Sequence, residues 1–317
     1  MERELDFEKQ VLLIERTLQK LRHRERLGRT GHRDQIETLT QQLTEAEEKA
    51  YRDLTPWQTV QVARHPRRPV LRYYLEHVFN DFTELHGDRC FGDDRALIGG
   101  FAKIGDEKVM LIGHNKGKNV KENVERNFGM ARPEGYRKAL RLMRLAEKYN
   151  LPVITFIDTA GAFPGLDAEE RGQHEAIGRN LAEMSRLEVP IIAVVTGEGG
   201  SGGALGIGVG DAVLMLQYAI YSVISPEGCA GILWRDGSFS AQAAEALKIT
   251  APSLVELGVI DEIIPEPPGG AHRYPQQVAD RIKSVVLKHL KELALLSKTK
   301  LLERRFAKFS LMGKFIE

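Results

Sequence analysis

Cysteine is scarce in this chain. Its 317 residues hold two, Cys90 and Cys229, far apart and outside any C-x-x-C spacing. That excludes a zinc ribbon built from this chain alone and fits a reducing compartment. No apolar run approaches the roughly 18 residues that a membrane helix needs. The first residues are charged, which speaks against a secretory leader, and the expectation is a cytoplasmic protein. Net charge is only +1. Nucleic acid is therefore not the expected partner, although basic loops leave it open as a non-enzymatic alternative that steep salt dependence would reveal. What is present is ordinary for a globular protein, 42% hydrophobic and 28% charged, in a chain long enough for one large domain and an appendage.

The chain is organised around Val194–Asp211. A β-branched run from Val189 to Thr196 predicts a buried strand, and Gly197, Gly199, Gly200, Gly202 and Gly203 follow it within seven residues. A helix of small residues, Ala204 to Gly208, is expected next. Such a turn exposes first-turn amides with the positive end of the helix dipole behind them, a setting for an anionic oxygen. Three motifs compete here. Gly197–Gly202 satisfies the dinucleotide fingerprint, but no acidic residue closes a βαβ unit about 20 residues on. Gly199–Gly203 satisfies G-x-S-x-G, which would make Ser201 a nucleophile with His272 and several aspartates downstream. The third reading is an oxyanion hole without a nucleophile, each donor contributing roughly 3 kcal/mol to a developing anion. It leads, over a bland alternative in which the glycines only allow tight packing.

Residues 1–54 are charge-rich with helical period, through Val11, Ile14, Leu18 and Leu21 and then Ile36, Leu39, Leu43 and Ala46. They predict a hairpin turning at Gly28–Gly31, its second arm opened by a capping-box-like Asp34 and Glu37. Both charge signs lie on its polar faces, which favours docking to a partner or to its own core over a membrane surface. Thr55–Pro56 reads as a helix start. Arg64–Pro69 is either a solvated linker or a phosphate clamp. Leu71–Leu85 reads as helix, and the aspartates at 88, 93 and 94 as turn residues, with no metal named.

Strands are expected at Leu97–Ile104 and Lys108–Gly113, joined by a Gly105–Asp106 turn. Beyond them Lys116, Lys118, Lys121, Arg126 and Arg132 cluster where α/β proteins place ligand loops. Lys116, Lys118 and Arg126 are candidates for coenzyme or nucleotide phosphates or for a carboxylate, the alternative being a mobile basic loop. A helix from Pro133 to Tyr149 carries Tyr136, Leu140 and Met143 on one face. A second strand–glycine loop–helix unit follows (Pro152–Ile157, Thr159–Gly165, Ala168–Leu187). Right-handed crossovers would bring both glycine loops to one sheet edge, with Gly161 and Ala162 free to bind part of a substrate. The segment 212–224 reads as a strand pair, Ser225–Pro226 as a capped helix start with Cys229 packed inside, and residues 275–311 as one long amphipathic end.

Several stretches together are too long for chance: VARHP (Val62–Pro66), IGHNKGK (Ile112–Lys118), RNFGMARPEGYRKALRLM (Arg126–Met143), PVITFIDTAGAFPG (Pro152–Gly165), EERGQHEAI (Glu169–Ile177), GEGGSGGALGIGVGD (Gly197–Asp211), YSVISPEGCAGILW (Tyr221–Trp234) and IIPEPPGGAHR (Ile263–Arg273). On these the chain resembles the carboxyltransferase alpha subunits of bacterial acetyl-CoA carboxylase, in the crotonase/ClpP superfamily. Ala160 and Phe163 depart from the family's expected proline and tyrosine, without touching main-chain donors.

The resemblance implies an α/β fold with a crotonase/ClpP-like ββα spiral core in 55–275, a helical hairpin in 1–54 and a helical extension in 276–317. It implies transfer of a carboxyl group from carboxybiotin, borne by a separate biotin carboxyl carrier protein, to acetyl-CoA, giving malonyl-CoA for fatty-acid synthesis. The site would lie against a homologous beta subunit carrying the zinc, two alpha with two beta, with biotin carboxylase in the full complex. In family terms the amides of Gly202 and Gly203, with Ala204, face the biotin ureido oxygen. The ureido anion left after loss of CO₂ would serve as base and the acetyl enolate would capture CO₂, so no strong acid or base is required of the side chains. Rival readings are a self-sufficient acyl-CoA hydratase, which needs a glutamate pair, and a ClpP-like serine peptidase, which needs Ser201.

Overall fold

The computed structural model describes residues 5–27 and 31–313; Gly28, Arg29 and Thr30 of the expected hairpin turn lie outside the described residues. Helices α1 (Lys9–Arg26) and α2 (Arg33–Tyr51) pack together with Val11, Leu18 and Leu21 buried. The expected capping box at Asp34 is not formed. The N-cap falls two residues earlier, at His32, which makes no side-chain bond, so Asp34 sits inside the first turn and meets the dipole there. Leu5 and Tyr51 join Val62 and Tyr218 in a small apolar cluster, which ties the hairpin to the body.

Helix α3 (Pro56–Ala63) starts as Thr55–Pro56 predicts, with a reciprocal box between Thr55 and Gln58. Helix α4 (Leu71–His77) is shorter than expected, because residues 80–84 form an edge strand instead. Strand β1 (Asn80–Glu84) pairs antiparallel with β2 (Leu97–Ile104), and its alternating exposure shows period 2 replacing the helical period. Strand β3 (Glu107–His114) closes the expected hairpin on β2, with Gly105 at φ +57° in the turn.

Next come α5 (Val120–Glu125), α6 (Pro133–Lys148), β4 (Val153–Thr159), α7 (Leu166–Glu170) and α8 (Gln173–Met184). The last two divide the helix expected at 168–187, because Gly172 between them takes φ +80°. Strand β5 (Ile191–Gly200) leads into α9 (Ser201–Leu205). The remainder is β6 (Ala212–Leu216), β7 (Ile220–Ser222), α10 (Pro226–Leu233), α11 (Ser240–Ala246), α12 (Ala251–Glu256), β8 (Glu262–Ile264), α13 (Pro275–Ala294) and α14 (Lys298–Ser310). Cys229 is buried beside Ala230 and Ala243, as a packed small residue.

The sheet runs β1-β2-β3-β4-β5-β6-β8, parallel from β3 onward. Strand β5 splits its partners. Ile192–Val195 pair with β6, while Glu198–Gly200 pair with β7. The segment 212–224 thus gives two strands, each added to β5 rather than paired with the other. Met110, Ile112, Phe156 and Val194 are buried at the centre of the sheet. The parallel run brings the carboxyl ends of β3, β4 and β5 side by side, and with them both glycine loops.

Candidate active site

Strand β5 turns into α9 through Ser201, a non-glycine residue at φ +50°. The loop after β4 lies directly on this elbow. A Cβ on Gly200 would stand 2.1 Å from the Ala160 carbonyl oxygen, and one on Gly203 would stand 2.3 Å from the Gly161 carbonyl carbon. Main chain therefore meets main chain, and only glycine permits it. Gly202 is different, since a Cβ there would meet the Ile177 side chain at an ordinary 3.6 Å, and Gly161 faces open space. As second and third residues of α9, Gly202 and Gly203 hold amides for which the helix supplies no acceptor. Ala204 is one step further in, and the i→i−4 repeat gives its amide the Gly200 carbonyl.

The other end of α9 is held by side chains. Five residues make too few backbone bonds, so its carbonyls recruit partners from around it. Tyr136 Oη donates to Gly203 O at 3.3 Å, Asn180 Nδ2 to Gly206 O at 2.8 Å, and Thr155 Oγ1 to Ile207 O at 2.8 Å. The expected small-residue helix through Gly208 stops early, because Gly206 and Gly208 give it little helical preference. Beside the elbow, an apolar cleft of about 390 Å³ is lined by Gly202, Tyr221, Val223, Leu254, Phe309 and Met312 among others.

The basic candidates separate on inspection. Lys116 Nζ lies 2.7 Å from Asp158 and 3.2 Å from Glu198, while Arg64 Nε is 2.6 Å from Glu198 and Arg64 Nη1 2.5 Å from Glu227. Burial pulls the Lys116 ammonium down, yet those two carboxylates hold it above its ordinary value. Burial raises Glu198, and Lys116 with Arg64 outweighs that and holds it low. Arg126 reaches Glu122 and the Lys116 carbonyl, so it braces the loop. Lys118 is exposed. Lys116, Arg64, Asp158, Glu198, Ala160 and Phe128 line a polar cavity of about 310 Å³ at this strand edge. The Arg64–Pro69 segment is not a solvated linker, since His65, Arg68 and Pro69 are buried, and Arg64 and Arg68 are paired with carboxylates. Arg68 is buried in a two-pronged pair with Glu266 (2.7 and 3.0 Å) and donates to Thr196 O. Asp88 accepts the amides of residues 90 to 92, which is turn-forming work. Phe163 lies under the Arg132 guanidinium at 4.4 Å.

His272, the histidine a peptidase would need, is engaged elsewhere through its ring face and Nε2. Its ring stacks on His65 at 4.0 Å, and its Nε2 lies 3.4 Å from Glu8, which also accepts from Tyr51 and lies 3.1 Å from Arg273. Glu8, His65 and His272 place ligand atoms within 4.8 Å of one another. A metal ion there would have to displace Arg273 and Tyr51 from Glu8. Burial, with neighbouring His272, pushes His65 down to about 3. Burial works against the Glu8 anion, but bonds from His272 and Tyr51 and the charge of Arg273 hold it at about 2. The sequence reading missed this cluster, which joins residues 264 apart. It also read Tyr136 as a packing residue and passed over Asn180, Thr155 and His114; a hydroxyl on an apolar helix face was the available signal.

A mixed sheet with a strand split between two partners, and a glycine elbow closed by a second glycine loop, define a crotonase-type fold whose elbow holds first-turn amides without an intrahelical acceptor. The solved structures agree on the fold. One similar chain is transcarboxylase 12S (TM-score 0.54, 20% identity, 67% of this chain and 41% of that one). Another is a Pseudomonas malonate decarboxylase hetero-tetramer in complex with coenzyme A (0.55, 15% identity, 68% and 86%). The family described as acetyl co-enzyme A carboxylase carboxyltransferase-like matches residues 4–313, and the chain belongs to it. Among curated relatives, the acetyl-coenzyme A carboxylase carboxyl transferase subunit alpha of Geobacter metallireducens is 56% identical over 99% of this chain and 98% of its own. That of Vibrio atlanticus is 55% identical over 98% of each.

Proposed function

We propose that the Gly202 and Gly203 amides receive the ureido oxygen of carboxybiotin during carboxyl transfer to acetyl-CoA, with Gly161 and Ala162 walling the same seat. The observation that carries this is a pair of first-turn amides without intrahelical acceptors, held by a second loop beside an apolar cleft. That combination fits an uncharged bicyclic ring bearing one polar carbonyl. When bound, carboxybiotin supplies the carboxyl group and a basic ureido nitrogen. The chain's contribution is to aim fixed dipoles at the oxygen where charge grows and to keep water out. Ala204, its amide spent in the helix, supports the turn from below.

In this reading the coenzyme thioester is presented by a beta subunit, in an assembly of two of each, served by the carrier protein and biotin carboxylase. Zinc belongs to the beta subunit. No helix among the described residues is long and apolar enough to cross a membrane, and we place the reaction in the cytoplasm. Lys118 is the candidate for a coenzyme phosphate, while Lys116 and Arg126 shape the loop that carries it.

Reconstitution tests the reading. The purified chain with its zinc-bearing partner should consume malonyl-CoA in the presence of biotin, and neither subunit alone should. Gly202→Val, at the glycine with room for a Cβ, should lower kcat/KM for biotin at least 100-fold with assembly intact. Parental activity in Gly202→Val would overturn it. Ser201→Ala should stay within twofold; an inactive Ser201→Ala would favour the peptidase-like nucleophile.

A further inference from the structure

A donor pair made of glycines has no stiffness of its own. Gly202 and Gly203 have wide φ/ψ freedom, and an anion site works only if its dipoles are fixed before charge appears. The Gly206 amide bonds the Gly202 carbonyl and so sets the peptide that carries the Gly203 amide, but a single short turn of this kind needs support from outside α9 to stay closed. Gly203 bears the decisive atom, because α9 ends too soon for residue 207 to bond its carbonyl; the Ile207 amide goes to Ala204 O instead. That carbonyl takes the Tyr136 hydroxyl at 3.3 Å. Tyr136 is fully buried, and its ring lies so close on α9 that a Cβ at Gly206 would stand 2.6 Å from it. Asn180 bonds both the Tyr136 carbonyl and the Gly206 carbonyl, locking α6, α8 and α9 into one arrangement. A second buried group faces the same carbonyl. The His114 ring sits between the Gly203 and Phe156 carbonyls, with neither nitrogen making a hydrogen bond of normal geometry.

We infer that Tyr136 is a positioning residue for carboxyl transfer: its hydroxyl holds the Gly203–Ala204 peptide and its ring seats Gly206, whose amide bonds the Gly202 carbonyl, so that together they hold the turn that presents the Gly202 and Gly203 amides, with His114 packed behind it. This rests on the reading of those amides as the anion site. Tyr136 touches no substrate. Its effect falls on the chemical step, because a looser turn still admits biotin but no longer presents ordered dipoles to the developing charge.

Tyr136→Phe removes one oxygen and keeps the ring on Gly206. In the reconstituted complex, kcat for malonyl-CoA consumption with biotin should fall about tenfold. KM for biotin and for malonyl-CoA should stay within twofold, and sedimentation should show unchanged assembly. His114→Leu gives a second, independent variant with the same expected split. A kcat within threefold of the parent for Tyr136→Phe overturns the inference, as does a loss confined to KM, or failure to assemble, which would make the hydroxyl a fold element only. The Gly202→Val result separates the two ideas. If Gly202→Val is inactive while Tyr136→Phe is unimpaired, only this inference falls. If Gly202→Val is fully active, the site reading falls and this inference falls with it.

Discussion

Gly203 faces Gly161 so closely that a methyl on its Cα would stand 2.3 Å from the Gly161 carbonyl carbon and 2.6 Å from the Ala162 nitrogen. No side-chain rotation relieves that overlap, because both partners are backbone. Gly203→Ala should therefore push the two loops apart, cost about 1–3 kcal/mol, and abolish measurable turnover. Gly202→Ala, with Ile177 at 3.6 Å from its Cβ, should fold like the parent and cost under about 1 kcal/mol. Urea unfolding and activity measured on both variants check the contrast. Equal stability of the two would show that the loops are not in contact.

Arg305 is almost fully buried, with Asp211 at 2.6 Å from Nη2 and 2.9 Å from Nε, and it donates to the carbonyls of Met184, Leu187 and Val189. The pair fastens α14 beneath the turn between α9 and β6, and Phe309 of α14 walls the apolar cleft. Arg305→Met leaves Asp211 charged and buried, and should cost about 3–5 kcal/mol. Arg305→Lys should recover little of it, since an ammonium lacks the planar fork. A loss below about 1 kcal/mol by urea unfolding would contradict the anchoring role.

Three buried imidazoles, His65, His114 and His272, make the protein sensitive to acid, burial lowering each of them. Burial and a neighbouring histidine put His65 at about 3, and burial with the charge of Lys116 puts His114 at about 3. Free histidine titrates near 6.5. Below that value the unfolded chain binds protons that the folded chain refuses, so stability declines as pH falls from 6.5 toward 3. Glu8, at about 2 when folded, adds a loss that begins near 4.5 and runs downward. Replacing His65 by Gln should flatten the dependence of unfolding free energy between about pH 5.5 and 4.5 by one proton, about 1.4 kcal/mol per unit. An unchanged slope would mean that His65 protonates freely in the folded state.

The parts legible in the sequence were those set by short-range pattern. Gly105–Asp106 between two alternating runs specified the β2–β3 hairpin, and a β-branched run ending in glycines specified β5 and its elbow. The edge strand at 80–84 was hidden because five residues beside a helix extend its apolar period by chance; pairing to Phe101 and Gly100 decides it. The long end at 275–311 divides where Ser297 caps α14, a signal present but outweighed by continuous amphipathicity. The ties that shape the site were not legible at all. Tyr136 and Gly203 are 67 residues apart, Arg68 and Glu266 are 198, and no local spacing encodes which buried carbonyl or carboxylate a side chain meets.

Lys116 and Lys118 stand two residues apart and were equal candidates for an anionic ligand, yet their surroundings separate them. Lys116 is matched by Asp158 and Glu198 in a cavity wall, whereas Lys118 extends into solvent. Lys116→Gln would leave those two carboxylates facing each other with Arg64 alone to balance them. It should cost about 3–5 kcal/mol of stability and raise the pH at which Glu198 ionises. Lys118→Gln should leave stability within about 0.5 kcal/mol. If Lys118 meets a coenzyme phosphate, its loss should raise KM for malonyl-CoA about threefold to tenfold at low salt and much less near 0.5 M, where exposed charges are screened within about 5 Å. The KM for biotin should not move in either salt. Steady-state kinetics of the two variants at both ionic strengths decide the matter. A coenzyme effect at Lys116 with none at Lys118 would move the phosphate contact into the polar cavity and reverse the assignment.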